Sequence, residues 1–119
     1  MSQPIRVMVA NHPRLMRELI VQAIIEQPDI EVVGEVKSEG EIVGAVEGTH
    51  PDVLIIGLDE SNRRPPLCDT LIRRYPEMKI LAVAPERNCS VFYWGSFDIH
   101  EIPVEASEAG ILSTLRGKG

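Results

Sequence analysis

The feature that most constrains this chain is a regular alternation between two kinds of apolar segment. Ile5 to Ala10 is short, rich in β-branched residues and bounded by Pro4 and the turn-like Asn11-His12-Pro13, so it reads as a buried strand. Leu15, Met16, Leu19, Ile20, Ala23 and Ile24 then recur at three- and four-residue spacing. That is the mark of an amphipathic helix, with Arg14, Arg17, Glu18 and Glu26 off its apolar stripe. Pro13 suits the first turn, and Pro28 lies just past the end.

The alternation continues. Ile30 to Val36 reads as a second strand, and Ser38 with Glu41 has the spacing of a capping box. The helix it opens carries Ile42, Val43 and Val46 inward and ends near Gly48. Val53 to Ile56 is continuously apolar, as a central strand covered on both faces must be. Pro65 and Pro66 precede a third helix, with Leu67, Leu71, Ile72 and Tyr75 on one side and Pro76 as its stop. Ile80 to Ala84 is the fourth strand. Beyond it the pattern weakens: Asn88 to Trp94 is expected as a short helix closed by Gly95, and Ser96 to Ile102 as a fifth strand. Ser107 to Leu115, with Ile111, Leu112 and Leu115 in register, is the last helix. Five β-α units in succession imply a parallel sheet with helices on both faces, because each crossover is right-handed and wide enough for a helix. The expected fold class is α/β, flavodoxin-like, in a single domain spanning 1–119.

Composition narrows the function. The chain has 119 residues, long enough to bury a core, with 44% apolar and 25% charged residues. A net charge of −6 argues against direct nucleic-acid binding, which depends on clustered Lys and Arg neutralising phosphates. Arg63, Arg64, Arg73 and Arg74 are the one local exception, with a solvated basic face as their ordinary role. No run approaches eighteen apolar residues and the N-terminus lacks a signal-peptide pattern, so a cytoplasmic protein without membrane attachment is expected. Cys68 and Cys89 are then expected as reduced thiols. His12, His50 and His100 are scattered, with no metal-ligand spacing.

Several stretches resemble the receiver domain of bacterial response regulators. IRVMVANHPRLMREL is similar to the family's opening, and PDIEVVGEV to its second β-α unit. HPDVLIIGLDE is similar to the third strand and the phosphorylation loop, YPEMKILAVA to the fourth strand, and IPVEASEAGILSTLRG to the final turn and helix. The resemblance covers nearly the whole chain. It implies a CheY-like sandwich with five parallel strands in the order 2-1-3-4-5, here with a shortened fourth helix. It also implies a phosphoacceptor Asp after the third strand, an acidic pair that helps hold Mg²⁺, a Ser/Thr after the fourth strand and a Lys after the fifth.

This sequence departs from each requirement. The acceptor position falls on Gly57, which has no side chain to phosphorylate. The acidic pair is replaced in the turn containing Asn11 and His12, the Ser/Thr position falls on Ala84, and the Lys position falls on Ile102 beside Pro103. The expectation is a pseudo-receiver with no catalytic activity, no cofactor and no metal, acting as a protein-binding module in two-component or phosphorelay signalling. Its partner would be a histidine kinase, another response regulator or a second copy of itself. In the resembled family the fourth helix, fifth strand and fifth helix form the usual contact face. On that basis Phe92, Tyr93, Trp94, Phe97, His100 and Glu101 are the candidate contact residues. Two alternatives stand beside this reading. Asp59 is a displaced acceptor for a residual Mg²⁺-dependent switch, although a solvated loop acid is its ordinary role. The crevice at the strand ends is a small-ligand site, although no Gly-x-Gly-x-x-Gly or P-loop supports it.

Overall fold

The computed structural model describes residues 3–10, 14–57, 66–84, 89–95, 99–104 and 106–116. Strands β1 (Ile5–Ala10), β2 (Ile30–Glu35), β3 (Val53–Gly57), β4 (Lys79–Ala84), β5 (Cys89–Gly95) and β6 (Ile99–Val104) form one sheet in the order β2-β1-β3-β4-β5-β6. Helices α1 (Arg14–Ile24), α2 (Ile42–Thr49), α3 (Pro66–Arg74) and α4 (Glu108–Leu115) pack on it. The α/β, flavodoxin-like class therefore holds, with β2, β1, β3 and β4 paired in parallel.

Strand alternation divides the core in two. Successive side chains point to opposite faces, so Met8, Leu54, Ile56, Ile80 and Ala82 meet Ile42, Val46, Cys68 and Leu71 of α2 and α3. Val7, Val9, Val53, Ile55, Leu81 and Val83 meet Ile20, Val21 and Ile24 of α1 and Ile111 and Leu115 of α4. The β1–β2 register shifts by one residue between Val7 and Met8, which sets Met8 opposite Gly34. A Cβ on Gly34 would lie 3.4 Å from Met8 Cε, about van der Waals contact, so the methionine packs directly over the glycine.

Three expectations need correction. First, the sheet is six-stranded and not wholly parallel: β5 runs antiparallel to β4, and β6 antiparallel to β5. In place of the short fourth helix expected over Asn88–Trp94, Cys89–Gly95 is strand β5. Only residues 85–88 separate it from β4, far too few for a parallel crossover. Strand geometry also solves the packing of three successive aromatics. Phe92 enters the core beside α1 and α4, while Tyr93, with 0% exposure, enters the core beside α2 and α3. Trp94 returns to the Phe92 face, the ring centroids 5.8 Å apart.

Second, the Ser38–Glu41 capping box does not form. A 3₁₀ turn over Glu39–Glu41 leads into α2, whose N-cap, Glu41, makes no side-chain capping bond. Third, α1 is rotated from its expected stripe. Leu15 and Leu19 are exposed, while Arg17 is buried beside Ile20, Val21 and Ile24.

Polar contacts fix the ends of the elements. His50 closes α2 in the left-handed region (φ 49°), its N–H donating to Val46 O at 2.8 Å. Arg6 donates from its guanidinium to His50 O and from its backbone N–H to Asp52 Oδ2, both at 2.9 Å, tying β1 to the start of β3. Ser107 caps α4 by accepting from Gly110 N–H. Arg116, just past α4, grips Asp29 in the α1–β2 turn through Nε at 2.6 Å and Nη2 at 2.9 Å.

Two outcomes follow from this packing. Tyr93→Ala removes a fully buried ring and should lower unfolding stability by about 3–5 kcal/mol, read as a drop in urea midpoint; a loss below about 1 kcal/mol would place the ring outside the core. The hydrogen bond from Arg116 holds the Asp29 carboxyl below its ordinary value. Its stabilisation is therefore present in full above the unfolded-state value of about 3.9, and is lost as pH falls through the lowered folded value. Asp29→Asn should be less stable than the parent at neutral pH, and the gap should close in acid melts.

Candidate functional site

The carboxyl ends of β1, β3 and β4 lie side by side, because Ala10 pairs with Ile56 and Gly57 with Val83. The three terminal residues there are Ala10, Gly57 and Ala84. Ala10 and Ala84 are buried and Gly57 is half-buried. The sheet thus brings together three positions expected near one another from the sequence, Ala10 at the head of the Asn11-His12 turn, Gly57 and Ala84. None of these residues offers a nucleophile or an oxygen-bearing side chain. Mg²⁺ requires carboxylate and water oxygens in near-octahedral array, and these described positions do not fit it. Asn11, His12, Asp59 and Glu60 lie outside the described residues.

Ile102 is not part of this group. It sits in β6, half-buried against the core beside α1 and α4 and paired with Phe92. Strand β5 separates β6 from β4, which at about 4.8 Å per strand puts Ile102 roughly 10 Å across the sheet from β4.

The expected contact residues are split between two faces and two environments. Phe92 and Tyr93 are core side chains, which corrects the expectation that they line a surface. Trp94 is half-buried and pairs across the strands with His100, of which only the backbone is described. Glu101 is exposed opposite Tyr93, on the other face. Phe97 lies outside the described residues. Strand β6 is the sheet edge, which accommodates Pro103 and is guarded by the exposed Glu101.

The structure shows surface features that periodicity missed. Leu15, Leu19 and Ile25 expose 60%, 51% and 54% of their surface along and just past α1. Two open clefts flank the sheet. One of about 310 Å³ lies at the amino ends of β3 and β4, where His50 meets the Tyr75 ring edge-on at 5.8 Å and Arg74 lies over that ring at 5.7 Å. The other, of about 560 Å³, lies at the carboxyl end of β2 and is lined by Arg17, Glu18, Glu35 and Lys37. Among the described residues no helix is long and apolar enough to cross a membrane.

With this geometry in place, comparison with known proteins is informative at the level of architecture. The chain superposes on the signal receiver domain of NarL, a protein designated a response regulator, from Mycobacterium tuberculosis, with a TM-score of 0.55. The fold is that of a receiver domain. The match covers 66% of this chain and 64% of that one, under two thirds of its length, at 20% sequence identity. No protein-family model and no curated protein matches the sequence.

The expectation that Gly57 stands at the acceptor position has a direct test. Gly57→Asp restores a carboxylate but not its neighbours, so the variant should stay unlabelled by acetyl phosphate with Mg²⁺ in a mass measurement. Stoichiometric labelling would show that the surrounding residues still support phosphoryl transfer.

Proposed function

We propose that this chain is a pseudo-receiver, a signalling module that works by binding a protein partner without taking up a phosphoryl group. The observation that carries this reading is the convergence at adjacent strand ends of Gly57 and Ala84, where the resemblance sets the nucleophile and the hydroxyl, beside Ala10 at the end of β1. The altered β4–β5–β6 hairpins support it further. The fourth helix, a principal part of the usual output face, is replaced by a strand whose aromatics serve the core. A partner would therefore meet a different surface: Trp94 and Glu101 near the β6 edge, together with the exposed aliphatics of α1. A histidine kinase, another regulator or a second copy fits a two-component setting, and cytoplasmic location goes with that setting. The module has no catalytic role of its own in this reading, and Asp59 is an ordinary loop acid.

The test is an amide NMR spectrum titrated with Mg²⁺ and then with beryllofluoride. Signals of Ala10, Gly57 and Ala84 should stay in place through both additions. A saturable, Mg²⁺-dependent movement that Asp59→Ala abolishes would establish a phosphoryl switch in place of a pseudo-receiver.

A further inference from the structure

The cleft at the carboxyl end of β2 contains an arginine that the fold alone does not explain. Arg17 lies on the inward face of α1, its side chain only 7% exposed, at the head of the stripe continued by Ile20, Val21 and Ile24. A buried cation is costly unless its N–H groups are met. Yet among the described residues Arg17 Nε has no hydrogen-bond partner. Its ion-pair partner, Glu35 Oε1, stands 3.6 Å away, beyond the roughly 2.7–3.2 Å of an N–H···O bond. Charge attraction survives at that length while the hydrogen bond does not, so the guanidinium is neutralised but incompletely satisfied.

The surroundings suit an incoming anion. Lys37 lines the same cleft and is exposed, which adds a second positive charge at its rim. Glu35 ends its strand with 47% of its side chain exposed, so it can turn into water. Glu18, the other acid on the rim, has a partner of its own. A guanidinium matches phosphate oxygens in a planar fork, and Arg17 and Lys37 balance the two acids of the lining until Glu35 turns out into water. Open α/β sheets take ligands in the crevice beyond the carboxyl ends of their strands. The cleft lies on the β2 side of β1, whereas Gly57 lies on the β3 side.

We propose that this cleft binds a small phosphate-class oxyanion without covalent chemistry. Arg17 is the anchoring donor and Lys37 the second cation. Glu35 occupies the place of the anion when the cleft is empty and swings out when it fills. The ligand is free phosphate or the terminal group of a phosphomonoester, and the cleft of about 560 Å³ has room for either.

The experiment follows the Arg17 Nε–Hε signal and the Glu35 and Lys37 amides by NMR. Inorganic phosphate and glycerol 1-phosphate are titrated at constant ionic strength, with chloride and acetate as controls. Saturable movement with phosphate, absent with chloride and weaker with acetate, is expected. Movement with both phosphate compounds assigns a substituted ligand, and movement with inorganic phosphate alone assigns the free ion. Glu35→Gln should tighten binding by about threefold, and Lys37→Gln should weaken it by a similar factor, the scale of a partly exposed charge pair. Lys37 is exposed, so its variant remains informative if Glu35→Gln perturbs folding. Non-saturating shifts, looser binding in folded Glu35→Gln, or movement confined to Gly57 and Ala84 would each overturn the assignment.

Discussion

The structure depends on burial of both faces of β3 and β4. Leu54, Ile55, Ile80 and Leu81 have no exposed surface, and their side chains alternate between two separate cores. Two faces require two helical layers, so α2 and α3 must lie on one side and α1 and α4 on the other. At about 25 cal/mol per Å² of apolar surface removed from water, burial on both sides outweighs the local preference of any one connecting segment. The parallel order of β2, β1, β3 and β4 follows, since each helix must cross from one strand to the next.

That same requirement explains the departure at the second half of the sheet. A short helix over Asn88–Trp94 would leave at least one of three adjacent aromatics in water, since helical neighbours point about 100° apart. A strand sends Phe92 and Trp94 to one face and Tyr93 to the other, and each face already has a core to receive them. The hairpins carry β6 one strand further from β4, and Ile102 with it. The strand in place of the expected fourth helix and the outward position of Ile102 thus share one cause, the two antiparallel hairpins.

Electrostatics at the periphery follows a different logic. Exposed pairs such as Arg74 with Glu47 at 3.5 Å contribute little, because water screens them and both side chains lose freedom. Arg116 with Asp29 is a bidentate contact that joins the end of α4 to the α1–β2 turn, positions 87 residues apart. Arg17 differs from both, since it is buried with a partner too distant for a hydrogen bond. Its place on α1 could not be read from periodicity, which sets Leu15 and Leu19 inward and the arginine outward. Helical spacing specifies which residues share a face. Which face the sheet covers is settled by neighbours far away in the chain.

The sequence by itself determined the βα alternation, the flavodoxin-like class, the positions of β1 to β4 and the four helices, and the arrival of Ala10, Gly57 and Ala84 at the strand ends. These rest on local patterns, with period 2 in strands, period 3.6 in helices and breakers at Pro13, Pro28 and Pro76. Only the tertiary structure decided that Cys89–Gly95 is a strand, that β5 and β6 run antiparallel, that α2 starts without its capping box, and that Arg17 is buried while Leu15 and Leu19 are not. Each of these turns on long-range burial: an aromatic run compatible with either local conformation takes the one that hides more apolar surface, and a helix rotates to the angle its sheet can cover.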